Sequence, residues 1–219
     1  MTMEPSVVGT VTAVCAVQAL HADDGIFGVT AIDKRPVTRP VRVGPYGLRG
    51  DVQADRKHHG GHDKALYVVD DAEGEYWSAE LGRDVPPGLF GENLRMSGLA
   101  VDDAVIGERW LIGAEVEVEV TGPRTPCATF ARWLGQDGWV RRYTERGRPG
   151  VYLRVRRGGT LAAGDDVTRV SRPGHGVTVA EVFAGLGPGP ASAVLADDGF
   201  DLADYLRRPL ESAAARDGR

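Results

Sequence analysis

From residue 36 to residue 170 the chain keeps returning to one pattern: short runs rich in β-branched and apolar residues, alternating in polarity and parted by glycine-rich turns. These runs read PVTRPVRVG, ALYVVD, AVIGERWLIG, AEVEVEVTG and GVYLRVRRGGTLAAGDDVTRV. A period of two puts apolar side chains on one face of a strand and polar ones on the other. Upstream, VVGTVTAVCAVQAL from Val7 to Leu20 is apolar and β-branched enough for a buried first strand, with Cys15 packing as a small hydrophobe. Strands this short and numerous, joined by long loops, predict a mainly β body with some helix, a curled sheet or barrel more than a doubly wound parallel sheet. Two helices are expected within it. One runs from Asp70 to Leu81 with Tyr76 and Trp77 on its apolar side, and the other follows Thr125.

After about Arg172 the character changes. SRPGHG reads as a linker, so a β domain over 1–172 is expected to carry a helical segment over 173–219. Thr178 with Glu181 three residues on has the spacing of a capping box, and GPGP is expected to break the chain after it. A last helix is expected over DDGFDLADYLRRPLESAAA, interrupted at Pro209. An appendage of this kind serves packing or partner contact, and its apolar face is compatible with a homodimer.

At 219 residues and 42% hydrophobic content the chain can build an ordinary core. A formal charge of −5 argues against nucleic acid as a partner, because counterion release needs a basic surface. Two cysteines without clustered spacing fit a reducing, cytoplasmic setting. The opening residues lack a basic and apolar leader pattern, and no run is long enough to span a bilayer, so a soluble protein without a membrane partner is expected.

The chemistry concentrates in three stretches. In GPRTPCATFARWL (122–134), Thr125 suits an N-cap, Pro126 the first helical position, and Ala128, Phe130, Ala131 and Leu134 an apolar stripe closed by Gly135. Cys127 would then lie in the first turn, where backbone N–H groups and neighbouring Arg124 favour a thiolate, a nucleophile or soft metal ligand. A buried structural cysteine reads equally well from this pattern alone. The loop GLRGDVQADRKHHGGHDKAL (47–66) is dense in titratable groups and glycine. It reads as a metal site from His58, His59, His62 and Asp55 or Asp63, as an anion pocket from Arg49, Arg56, Lys57 and Lys64, or as a solvated turn whose Asp51 and Asp55 hold local backbone donors. In PPGLFGENLRMSGL (86–99), Asn93 offers donors and an acceptor, and Glu92 with Asn93 could equally hold a turn.

Taken in order, GLRGDVQAD (47–55), HGGHDKAL (59–66), PGLFGENL (87–94), PRTPC (123–127) and GVYLRVRRGGTLAAGD (150–165) resemble the MOSC-domain family, and within it the stand-alone bacterial YiiM-like branch, over roughly residues 8 to 170. Gly107-Glu108 departs from the Gly-Asp that the family often has there. The resemblance implies a MOSC-type β-barrel followed by a short helical segment. It also implies a molybdenum pyranopterin cofactor, with Cys127 as protein ligand to molybdenum. Arg49, Lys57, Lys64, Arg124 and Asn93 would then receive the cofactor's phosphate and ring groups, and His59 would orient it or relay protons. The activity so implied is reduction of small N-hydroxylated compounds such as hydroxylamino-purines or amidoximes. No ferredoxin-type cysteine run and no dinucleotide fingerprint occurs, so electrons would come from a separate reductase. The same thiol would also serve a persulfide carrier, or a protein that binds cofactor without turnover.

Overall fold

The computed structural model of the chain describes residues 5–26, 28–53 and 60–216. Among them, seven strands close a barrel. Around it, Ser6–Val17 is followed by Leu94–Ser97, Leu66–Asp70, Val151–Arg157, Val116–Pro123, Arg109–Ile112 and Asp166–Ser171, which pairs back onto Ser6–Val17. Closure falls to the first strand because it is long and bent. Its start pairs with Asp166–Ser171, its middle with Leu94–Ser97 and its end with the edge strand Lys34–Pro36. Register shifts at Val7/Gly9 and Val11/Ala13 supply the bend.

The pairs are antiparallel except Leu66–Asp70 with Leu94–Ser97. A parallel neighbour needs a crossover, and helix α1 (Asp71–Leu81), capped by the Asp70 side chain on Ala72 N, provides it. The alternation read from the sequence maps onto the barrel wall: Val116, Val118 and Val120 point inward and are buried. Each such valine contributes about 1.5–3 kcal/mol by leaving water. Glu119 points outward yet is equally buried, because Arg109, Arg154 and Arg156 from neighbouring strands close over its carboxylate.

Outside the barrel, α1, α2 (Ala128–Leu134) and α3 (Trp139–Arg146) enclose a second, aromatic core around Trp77, Phe90, Phe130, Trp139 and Tyr143. Three more helices follow the barrel's last strand: α4 (Val179–Ala184), α5 (Pro188–Ala196) and α6 (Asp204–Ala214). The Thr178–Glu181 capping box forms. Two expectations here are corrected. GPGP starts a helix instead of breaking one, with Gly187 as N-cap and Pro188 in the first turn, where a missing N–H costs nothing. The last helix begins only at Asp204 and runs through Pro209, since Leu206, Leu210 and Ala213 bury one face in the core that α5 shares with the barrel. That burial outweighs the roughly 3 kcal/mol a mid-helix proline costs. No helix among the described residues is long and apolar enough to cross a membrane.

Candidate functional site

Strand Val116–Pro123 ends at the barrel rim, and Arg124 to Cys127 carry the chain from it into α2. Cys127 is extended (φ −130°, ψ 170°) and is itself the N-cap, so α2 starts later than the Thr125–Pro126 pattern predicts. Pro126 is buried in the turn out of the strand, and the first helical hydrogen bond runs from Ala131 N to the Cys127 carbonyl. The sulfur therefore stands ahead of the first turn, at the wall of a cavity of about 380 Å³. That size lies within the roughly 300–1,000 Å³ common for small-molecule sites. The other walls come from the hairpin His21–Ala22/Val29–Thr30, from Ala31 to Lys34, from Tyr67, and from the Phe90 to Asn93 turn.

Arg124 faces this cavity while only 5% exposed. Its guanidinium carbon lies 4.0 Å from the Phe130 ring centre and 5.4 Å from that of Tyr67. Nη1 is buried without a hydrogen-bond partner, and no carboxylate pairs with this arginine among the described residues. Burial alone would lower its pKa, but the phenols of Tyr67, Tyr152 and Tyr143 and the Cys127 sulfur raise it above the usual arginine value, so the charge stays. Buried cations are normally paired, and an unpaired one costs several kcal/mol. An anion entering the cavity is what this arrangement lacks.

Beside it, Lys34 Nζ donates to Asp51 Oδ2 at 2.6 Å, and Asn93 Nδ2 donates to the same oxygen at 2.8 Å. Asp51 Oδ1 accepts from Val17 N at 2.9 Å, so this acid holds a distant strand, not the local turn expected of it. Asn93 Oδ1 accepts from Tyr67 N at 3.2 Å. The Asn93 amide thus lines the cavity with its polar atoms already engaged by protein, and it pins two walls together. Glu92 holds the turn, accepting from Gly88 N and Phe90 N and pairing with buried Arg95. Gly88 must be glycine: its φ is +91°, and a Cβ there would strike the Lys34 carbonyl.

Of the residues singled out in the sequence, Cys127, Arg124, Lys64 and Asn93 come together around this cavity. Arg49 lies apart, exposed, on a second depression with Arg42 and Tyr46. His59, Lys57, His58, Arg56 and Asp55 lie outside the described residues. His62 packs on Tyr46 at 4.2 Å between ring centres, and Asp63 pairs with Arg154. No cluster of three His, Cys, Asp or Glu able to hold a metal occurs among the described residues. Both cysteines are free thiols, and burial pushes Cys15 up to about 12.

Sequence reasoning missed Lys34, Tyr67 and Phe90. It also missed the clasp that fastens the 21–30 hairpin beside Cys127. Asp23 accepts from Arg132 Nε and Nη2, both at 2.8 Å, and from Thr129 Oγ1 at 2.9 Å. The Arg132 hydrogen bond is the chief reason the Asp23 carboxyl sits at about 2. One signal was present for Lys34: the chain has only three lysines, Lys34, Lys57 and Lys64, all between residues 34 and 64.

The model of the MOSC domain matches residues 55–168 of this chain. YflK of Bacillus subtilis is 34% identical over 156 residues, covering 71% of this chain and 70% of that protein. The chain belongs to the MOSC-domain family. YiiM of Escherichia coli is 32% identical over 161 residues, again 71% of this chain and 70% of the other. A protein of Gibberella moniliformis named reductase is 29% identical over 151 residues, 66% of this chain but only 26% of that longer protein. Among solved structures, YiiM from Geobacillus stearothermophilus superposes with a TM-score of 0.77 at 23% identity, covering 94% of this chain and 99% of that one. YiiM from E. coli superposes at 0.72 and 21%, covering 94% and 92%. These superpositions establish the MOSC fold with its helical tail. MOSC domains as a family are associated with molybdenum cofactor binding.

The Gly107-Glu108 pair also finds its reason. Glu108 is fully buried and accepts from Trp110 Nε1 at 2.8 Å and Arg169 Nε at 2.7 Å, the longer side chain reaching groups of two strands.

Proposed function

We propose that the cavity beside Cys127 takes a molybdenum pyranopterin cofactor, with the Cys127 thiolate as protein ligand. We further propose that this MOSC protein reduces small N-hydroxylated compounds, hydroxylamino-purines or amidoximes, with electrons from a separate reductase. The observation that carries the reading is Arg124. A buried, permanently charged guanidinium with an orphaned Nη1, in the same wall as the only partly accessible thiol, suits an anionic group bound next to a soft ligand. Bound there, the cofactor would supply two-electron redox chemistry.

Each residue has a task in this scheme. Arg124 would take a phosphate or another anionic oxygen bidentately, which its planar fork favours over a lysine. Lys34 brings a second cation, neutralised in part by Asp51, whose Oδ2 also accepts from Asn93 and so fixes the floor. Ile32 and Phe90 exclude water and strengthen each of these interactions. Tyr67 offers its ring alone, because its hydroxyl donates to Pro149 O at 2.8 Å. On the substrate, R–NHOH with two electrons and two protons becomes R–NH2 and water, so both a reductase and a proton supply are required. The word reductase in the name of the Gibberella relative supports a redox role for this chain as well.

The test is metal analysis with fluorescence of oxidised pterin on protein from a cofactor-sufficient host, for wild type, Cys127→Ser and Arg124→Met. Near-stoichiometric molybdenum and pterin in wild type, with metal reduced but not abolished in the first variant and both lost in the second, is the expected result. Wild type that carries neither removes the basis of the reading, and a sulfane sulfur released from Cys127 by reductant would replace it with a persulfide carrier.

A further inference from the structure

One side chain of the helical tail reaches a cation of the cavity, Lys64. We infer that Tyr205, on α6, is a positioning residue for Lys64, so that the C-terminal segment is a working part of the site. The inference deepens the function proposed above, since an oriented Lys64 matters to a pocket that receives an anion.

Two routes connect them. Lys64 Nζ stands 4.1 Å from the centre of the Tyr205 ring, and 5.4 Å from that of Tyr152, which also lines the cavity. An ammonium at that distance from a ring face is held electrostatically without losing its charge or its remaining donors. The second route runs through the backbone. Tyr205 OH donates to Thr121 Oγ1 at 3.5 Å, and Thr121 Oγ1 donates to the carbonyl of Asp63, the residue before Lys64, at 2.5 Å. The Asp63 carboxylate is gripped from the same side, by Arg154 Nη2 at 2.7 Å and Asp204 N at 3.3 Å. Ring, hydroxyl and helix start therefore all act on the short turn His62–Lys64.

The barrel is shaped to admit this helix. Gly122 has φ +154°, and a Cβ there would lie 2.7 Å from the Tyr205 hydroxyl and 3.0 Å from Leu206 Cδ1. The glycine stands two residues before Arg124, so α6 packs on the strand end that delivers both Arg124 and Cys127. Two of the chain's three lysines, Lys34 and Lys64, line the cavity, and the Lys64 ammonium lies against an aromatic face from the helical tail.

The experiment is competitive acylation of the lysines with acetic anhydride, read by peptide mass spectrometry, on wild type, Tyr205→Phe and Tyr205→Leu, with Lys34 as internal reference. Molybdenum and pterin content is measured on the same preparations. Loss of the ring should speed Lys64 acylation roughly two- to fivefold relative to Lys34, the factor expected of one cation–π contact, while the phenylalanine variant stays near wild type. Cofactor content should fall in the leucine variant and in Lys64→Gln. If the leucine variant loses its cooperative thermal transition, Tyr205→Met fills the volume without a ring. An unchanged Lys64 rate in a folded ring-less variant overturns the inference, whatever the cofactor content. A wild type without molybdenum or pterin would sink the proposed function alone, because the acylation ratio is read without the cofactor.

Discussion

Asp102 offers a test of the packing beneath the site. It is about 1% exposed, and its Oδ1 accepts from Gly150 N at 2.8 Å. Gly150 O in turn accepts from Arg124 N, and the neighbouring Pro149 O accepts from Tyr67 and Tyr143. Burial, aided by the nearby charges of Glu73 and Asp70 and opposed by the Gly150 hydrogen bond and Arg148, raises Asp102 to about 7. The folded protein keeps this proton to higher pH than the unfolded chain, so between about pH 4 and pH 7 it binds more protons than the unfolded chain. Stability from this group consequently falls as pH rises through that window and is level above it. The rise from 3.8 to about 7 corresponds to on the order of 4 kcal/mol at pH 8. Asp102→Asn keeps the acceptor for Gly150 N and removes the titration. Urea unfolding at pH 4.5 should show wild type and variant within about 1 kcal/mol, each extrapolation carrying its usual error. At pH 8 the variant should be the more stable, with a midpoint temperature raised by on the order of 10 °C. A stability difference independent of pH, or a less stable variant at pH 8, would refute the reasoning.

Other outcomes follow from the same structure. Glu119→Ala leaves Arg109, Arg154 and Arg156 facing a void, and should cost about 3 kcal/mol in chemical denaturation. Asp23→Ala unfastens the hairpin from α2, so hydrogen exchange of residues 21–30 should quicken while the barrel strands keep their protection. Gly91→Ala, at φ +79° and with its Cβ 2.9 Å from Ile32 Cγ1, should destabilise by about 1–3 kcal/mol and lower pterin content by pushing Ile32 into the cavity. His175 holds Val177 N on Nδ1 and donates from Nε2 to Ile106 O, and burial lowers its pKa. Its contribution is therefore full above about pH 6.5 and is lost as pH falls through the lowered value, so protection factors in 177–214, corrected for intrinsic exchange at each pH, should be lower at pH 5 than at pH 7.5.

The barrel was legible because its strands alternate with period two, as Val116 to Val120 do, and the start of α4 because Thr178 is a cap that acts within three residues. What was hidden depends on long-range contact. No local pattern tells that Asp51 braces Val17 and Lys34, or that Asn93 turns its donor to Asp51. Cys127 and Arg124 stood out by composition, yet the orphaned Nη1 is a property of burial, which only the packing of Tyr67 and Phe130 creates. Helix starts slipped where proline reads two ways: Pro126 ends a turn and Pro188 begins a helix.

X-ray absorption at the molybdenum edge tests the central claim most directly, on holoprotein of wild type and of Cys127→Ser. The account predicts that the variant loses one sulfur from the metal's first coordination shell. An identical sulfur shell in both would contradict it, because Cys127 would then not be the ligand.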